Sequence, residues 1–410
     1  MAARRVIAAP RPPRAAVALA ALLWLATPVA ARADVFNGRI AFSSQRVEPA
    51  TDAERTFDVF SMNDDGSDVR RLTKNPENER QPDWSPSGHD IAYSIDKPNA
   101  TKSFEVARMT ADGTGHRQLT TSPTDEAPSQ PSWRPDGKGI LFRRSGPGRA
   151  GSIWQMGLLG KRPLLRFAPP NDPLYPTWSP NMKRVLFAAI LSPHGDTDRG
   201  IFTLEAKGGR LRTLFDVADT YDSAPAWSPD GRRIAFESEA DVDGGNPEHD
   251  REVWTMAANG SKRVQLTHNA LHDEGPTWSP DGTMLAYTSG LDDTHGDIHV
   301  MTAAGRHLRA LTVFAGADES PDWQAIAAPH TARRCGDVTT GGVGVRDVRA
   351  LGSGVRCSGA RALAQRWAEA GRPARIEGFR AQADGFGGLR RVVLRLGVGD
   401  TRRIVAFLQQ

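Results

Sequence analysis

The chain has 410 residues, 24% of them charged and 39% hydrophobic, with 52 Lys and Arg against 48 Asp and Glu for a formal charge of +4. With a mean hydropathy of −0.46, this describes a soluble globular protein, excludes a membrane-embedded or disordered chain, and leaves room for two folded units. The charge is uneven: five arginines and no acid in residues 1–33, and thirteen arginines against six acids in 335–410, which leaves residues 34–334 at −8. The overall pI of about 9.2 is therefore no sign of nucleic-acid binding by the main domain.

Residues 1–33 read as a secretory signal peptide. Arg4, Arg5, Arg11 and Arg14 precede an apolar run from Ala15 to Ala26, and small residues stand at Ala31 and Ala33. The apolar run is shorter than the roughly 18 to 20 residues a bilayer span needs, and no later run is long enough, so no membrane span is expected after cleavage. The pair Arg4-Arg5 leaves twin-arginine and general export both open. The expected location is outside the cytoplasm: periplasmic, cell-envelope or extracellular.

Six tryptophans recur along residues 36–327, at Trp84, Trp133, Trp178, Trp227, Trp278 and Trp323, spaced 49, 45, 49, 51 and 45 residues apart, each with proline two positions earlier. The best copies, at Trp227 and Trp278, continue Trp-Ser-Pro-Asp-Gly and then an apolar triplet such as Ile234-Ala235-Phe236. Asp-Gly supplies the tight reversal of a hairpin between two short strands. A third strand follows with an apolar residue and a methionine three apart, as in Val59 and Met62 or Val253 and Met256. A fourth carries leucine, usually followed by threonine, as at Leu72, Leu119, Leu266 and Leu311. Four short strands per unit of about 45 residues, without helical periodicity, predict the blades of a β-propeller. The first copy lacks a tryptophan strand and the last lacks followers, so the two are predicted to form one composite blade that closes a ring of six. At fixed register in every blade, the six tryptophans are expected to be core packing between blades. The expected fold class is all-β, a six-bladed propeller followed by a small α+β module.

The Pro-x-Trp-Ser-Pro-Asp-Gly-x-x-Ile-Ala-Phe copies resemble the WD-repeat-like blades of the TolB family of periplasmic propellers. The resemblance covers roughly residues 36–327 and implies the propeller fold. It says less about function, because similar blades precede serine peptidases and occur in some polysaccharide lyases. TolB proteins carry an extra amino-terminal α/β domain, and only a few residues here separate the expected cleavage site from the first strand, so the chain is expected to be TolB-like without being TolB itself.

Antiparallel blades bring the second-to-third and fourth-to-first loops to one face. The fourth-to-first loops, nearest the central channel, carry Glu79, Asp125 and Glu126, Asp172, Asp222, Asp273 and Glu274, and Asp318 and Glu319. The longer second-to-third loops add acids such as Glu48, Asp52, Asp196 and Asp198. This acidic channel mouth is expected to dock a protein or cell-envelope component, basic in character; a solvated acidic face is the competing expectation. Asp241, Asp243, Glu248 and Asp250 offer the hard oxygen ligands calcium prefers, although the glycines between them do not fall where an EF-hand loop needs one. Calcium is thus the one cofactor considered, and none is the main expectation. His268 and His272 lie near Asp273 and Glu274, and His295 and His299 flank Asp297; surface histidines are the favoured reading over a metal site, because the other channel-side loops hold no histidine.

Residues 328–334 read as a linker and 335–410 as the small α+β module, with a helix from Ser358 to about Ala370 and strands around Val392 to Leu396 and Ile404 to Phe407. In an exported chain Cys335 and Cys357 are expected to form one disulfide closing a loop of about 22 residues, the alternative being two reduced buried thiols. The order Cys335-Gly-Asp-Val, Cys357-x-x-Ala-Arg and Gly378-Phe379-Arg380 resembles a small cysteine-paired module that ends many secreted bacterial proteins, without its usual second cysteine pair. No Gly-x-Ser-x-Gly elbow occurs, and the 76 residues after Arg334 are too few for an α/β-hydrolase domain, which sets a peptidase aside. The chain is read as a non-catalytic, monomeric binding propeller. The alternative is a metal-dependent carbohydrate lyase or hydrolase working in the channel.

Overall fold

The computed structural model describes residues 35–46, 56–96, 104–123, 126–146, 149–160, 164–167, 172–190, 198–207, 209–242, 244–292, 295–314 and 316–327, together with strands between Arg333 and Gln409. The expected signal peptide lies outside these residues, as do Cys335, Cys357 and the expected helix at 358–370.

Twenty-four strands form six antiparallel four-stranded sheets. The first blade holds β1 (Val35–Ser44), β2 (Asp58–Met62) and β3 (Arg70–Arg71), and the second β4 (Glu79–Trp84), β5 (Asp90–Asp96), β6 (Phe104–Thr110) and β7 (Arg117–Gln118). The third holds β8 (Ala127–Trp133), β9 (Gly139–Gly146), β10 (Arg149–Gly157) and β11 (Leu164–Phe167); the fourth holds β12 (Leu174–Trp178), β13 (Arg184–Ala189), β14 (Gly200–Glu205) and β15 (Leu211–Phe215). The fifth comprises β16 (Asp222–Trp227), β17 (Arg233–Ser238), β18 (Glu252–Ala257) and β19 (Val264–Gln265), and the sixth β20 (His272–Trp278), β21 (Met284–Asp292), β22 (His295–Thr302) and β23 (Arg309–Ala310). Finally β24 (Asp318–Ala327) returns to the first blade and pairs with β1, placing Trp323 opposite Ile40 and Ala327 opposite Val35. Ring closure is therefore made by strands from opposite ends of the repeat region, as the two incomplete copies require.

The blades cohere through apolar layers shared between neighbours. Between blades one and two, Ala41 and Val59 pack with Trp84, Tyr93 and Met109. Between blades six and one, Ile298 and Val300 meet Phe42, Met62 and Trp323. Five of the six recurring tryptophans are buried in these layers and Trp227 is packed at the edge of one, each supplying a large apolar area to the seam between sheets.

Two sequence signals have a local physical cause. In Ser228-Pro-Asp-Gly231, the Asp230 carboxylate accepts the Ser228 hydroxyl at 2.6 Å and the Arg232 N–H at 3.0 Å, while Gly231 takes φ 69°. The aspartate thus fixes the hairpin and glycine supplies the left-handed residue that ends it. The threonine of the Leu-Thr pair ties its strand to the third: Thr312 Oγ1 accepts the Ile298 N–H at 2.9 Å and donates to Asp297 at 3.0 Å. Thr73, Thr120 and Thr267 accept in the same way from Val59, Val106 and Val253. Blades three and four lack the Leu-Thr pair.

Beyond the propeller, Val343–Leu351 pairs with Arg403–Gln409, which pairs with Leu389–Leu396, which in turn pairs with Phe379–Phe386, all antiparallel. The last two strand regions expected from sequence lie within this sheet. Arg333–Arg334, expected in the linker, pair as a short strand with Arg349 and Ala350.

Candidate functional site at the channel mouth

The innermost strands β4, β8, β12, β16, β20 and β24 each carry a bulge three residues before the tryptophan, where Gln81, Gln130, Tyr175, Ala224, Gly275 and Ser320 all take positive φ between 45° and 57°. Five of these are not glycine, so the conformation is held by its surroundings. The N–H groups freed by the bulge reach to the preceding blade: Gln81 to Ser43 Oγ at 3.1 Å, Gln130 to Ser94 Oγ at 3.0 Å, Gly275 to Glu237 Oε2 at 2.7 Å and Ser320 to Thr288 Oγ1 at 3.2 Å. The bulge thus stitches neighbouring blades together around the channel.

The residue just before each tryptophan lies on the same strands, and in two adjacent blades it is an acid. Asp322 accepts the Trp84 N–H at 2.6 Å and the Thr277 hydroxyl at 3.1 Å, and Asp83 accepts the Trp133 N–H at 2.7 Å. Burial raises both carboxyls, Asp322 to about 6 and Asp83 well above the usual carboxylate range, and the nearby Asp322 charge adds to the rise at Asp83. Sequence reasoning missed this pair; the signal was the Asp standing between Pro and Trp in two copies only.

The predicted loop acids divide into two groups. Glu79, Asp222, Asp273 and Asp318 are 0% exposed. Burial pushes the Glu79 and Asp222 carboxyls up to about 8 and Asp273 to about 6. Asp222 accepts the Ser238 hydroxyl at 2.5 Å, Asp273 the Asn269 amide at 2.7 Å, and Asp318 both Ser44 Oγ at 2.5 Å and Arg46 Nη2 at 2.6 Å. The remaining four are half-buried and ion-paired. Asp172 receives both oxygens' bonds from Arg143 Nη2 at 2.7 and 2.6 Å, Glu126 pairs with Arg144, Glu274 with Arg251, and Glu319 lies 3.7 Å from Arg80. The ring of carboxylates is consequently not a ring of free negative charge: arginines answer it, and four of its members lie beneath the surface.

On one side of the mouth these pairs extend into a polar cluster that sequence reasoning did not find. Arg199 donates to Tyr221 Oη at 2.8 Å and stacks over its ring at 4.5 Å, while Arg251 lies 4.9 Å from the same ring and 3.6 Å from Glu239. Glu237, 5% exposed on β17, is pushed up to about 7 by burial and by the Glu274 charge, with the Gly275 N–H and Arg251 opposing. Its position next to Phe236, on the opposite side of the strand, was the available signal.

Of the residues proposed for calcium, Asp241 already accepts the Asn246 N–H at 3.2 Å and Glu248 is exposed. Asp250 is buried with its carboxyl raised by desolvation, and Asp243 and Asp125 lie outside the described residues. Among the described residues no group of three or more His, Cys, Asp or Glu is placed to hold a metal ion. His272 accepts the Arg251 N–H at 3.1 Å, and His299 packs on Tyr287.

Residues 171–324 match the family described as the TolB beta propeller domain. A Tol-Pal system protein TolB from Anaeromyxobacter dehalogenans (strain 2CP-C) is 30% identical over 151 residues, 36% of this chain and 32% of the relative. An uncharacterized peptidase, YuxL, from Bacillus subtilis (strain 168) is 27% identical over 99 residues, 24% of this chain and 15% of its own. The matched segments thus span less than a third of these relatives. Among solved structures, TolB from Acinetobacter baumannii superposes with a TM-score of 0.58 at 23% identity over 70% of this chain and 66% of that one. Hydrazine synthase from Kuenenia stuttgartiensis reaches 0.57 at 13% identity over 71% and 47%. At these identities the structural likeness speaks for the fold.

Proposed function

We propose that this TolB-like propeller is an exported, non-catalytic binding protein that docks a protein or cell-envelope component on the loop face around its channel mouth. The observation that carries the reading is the succession of half-exposed arginine–carboxylate pairs on that face: Glu126 with Arg144, Asp172 with Arg143, Glu274 with Arg251, and Glu319 with Arg80. Such pairs contribute little to stability where solvent reaches them, but they present oriented donors and acceptors that a partner with both signs of charge exchanges for its own. A rigid scaffold with functional loops gathered on one face supports the same reading. Export rests on the amino-terminal sequence pattern and on the relation to a Tol-Pal system protein.

The test is affinity capture from an envelope fraction by the full chain, at low and raised salt, beside a variant with Glu126, Asp172, Glu274 and Glu319 changed to Ala. The variant is expected to lose a band retained by the wild type, and the band is expected to survive moderate salt because paired charges exert little long-range pull. Identical capture by variant and wild type would sink the docking face. Release of sugar fragments from an envelope polysaccharide by the purified chain would replace binding with the lyase or hydrolase alternative.

A further inference from the structure

The opposite face, where the Asp-Gly hairpins and the turns between third and fourth strands emerge, has a different chemistry. Residues 34–334 carry −8 overall, yet on this face blades four, five and six expose Arg210, Arg212, Arg232, Lys262, Arg306 and Arg309. The acids in the same turns are few. Asp230 is engaged by Ser228 and the Arg232 N–H, and Asp281 by Ser279 and Thr283; Glu205 ends β14. None of the ion pairs among the described residues involves any of the six cations.

In these three blades a single apolar side chain stands among the cations at or just before the start of the fourth strand. Leu211 is 39% exposed between Arg210 and Arg212, Val264 51% beside Arg263, and Leu308 48% beside Arg309. Charge alone would suit any polyanion. Regularly spaced exposed Leu and Val within the basic array suit a surface that has anionic headgroups and an apolar layer just beneath them.

We propose that the turn face of blades four to six docks on a bilayer containing anionic phospholipids, the arginines and lysine meeting the headgroups and Leu211, Val264 and Leu308 entering the interfacial layer. This places the channel mouth away from the bilayer, open to a partner. The inference does not depend on the partner-docking reading, since it uses the other face and other residues.

The experiment is co-sedimentation of the full chain with phosphatidylcholine vesicles, with and without phosphatidylglycerol. Two variants accompany the wild type: Arg210→Glu, Arg212→Glu, Lys262→Glu and Arg306→Glu together, and Leu211→Ser, Val264→Ser and Leu308→Ser together. Thermal unfolding unchanged from wild type confirms that these exposed substitutions leave the fold intact. Wild type is expected to bind only vesicles with phosphatidylglycerol and to release in raised salt; the charge variant should lose at least about a hundredfold in partitioning, the apolar variant about tenfold. Equal partitioning of the charge variant and wild type would overturn the proposal, since binding would then belong to residues 1–33 or to the arginine-rich tail. Retention on a soluble polyanion such as heparin without vesicle binding would overturn it in favour of an acidic polymer.

Discussion

Changing Asp222 to Asn should make the propeller more stable at alkaline pH and alter it little in acid. The Asp222 side chain is fully buried at the start of β16, bonded to Ser238 at 2.5 Å and near Thr220 Oγ1 at 3.4 Å, and desolvation pushes its carboxyl from 3.8 up to about 8. A group whose folded pKa exceeds its unfolded value binds its proton more tightly in the native chain. Its favourable contribution is complete below about pH 4 and is lost as pH rises through about 8, at about 1.4 kcal/mol per pH unit. For a domain of this size, with about 2 to 4 °C per kcal/mol, the melting temperature of wild type should fall relative to Asp222→Asn by about 3 °C for each unit between pH 5 and pH 8. Asn mimics the protonated carboxyl in shape and cannot ionise, so the gap should be small at pH 5 and widest near pH 8. Thermal unfolding followed by circular dichroism across that range provides the measurement. Parallel curves for the two proteins would refute a buried carboxyl that titrates near 8.

Thr312→Val removes both the acceptor for the Ile298 N–H and the donor to Asp297, and is expected to cost about 1 to 3 kcal/mol in urea unfolding, with Thr312→Ser retaining most of it. Gly260→Ala should destabilise by at least about 1 kcal/mol: φ is 87°, and a Cβ there would lie 2.6 Å from the Leu214 carbonyl oxygen of the preceding blade. A shift of the unfolding midpoint no larger than that of an exposed control would count against the close contact.

The blades were readable because one large residue at constant register must bury itself in the same way each time, so tryptophan spacing reports blade spacing directly. The loop acids were harder. Asp273 and Glu274, or Asp318 and Glu319, are adjacent in sequence, yet strand alternation sends the first of each pair inward and leaves the second half-exposed; counting carboxylates per loop could not separate them. Their partners were also beyond local pattern, since Arg46 and Asp318 lie 272 positions apart and meet only because the ring closes. The Leu-Thr repeat was visible as text, but its meaning, a hydroxyl shared between a strand amide and a carboxylate, appears only in three dimensions. The return of β24 to the first blade, expected from the two incomplete copies, brings Asp322 beside the second blade, but that its charge acts on Asp83 appears only in three dimensions.

The pairing of β24 with β1 sets the order in which this protein can be completed. Those strands are separated by nearly the whole repeat region, so their contact is among the least local in the fold, and contacts of that kind form late. Until Asp318–Ala327 has been synthesised, β1 has β2 as a neighbour on one side and an open row of amides and carbonyls on the other. Such an edge invites pairing with another chain. If the chain is exported, as proposed above, and crosses unfolded, all six blades are delayed alike, and joining takes place only once the first and last strands of one polypeptide stand on the same side.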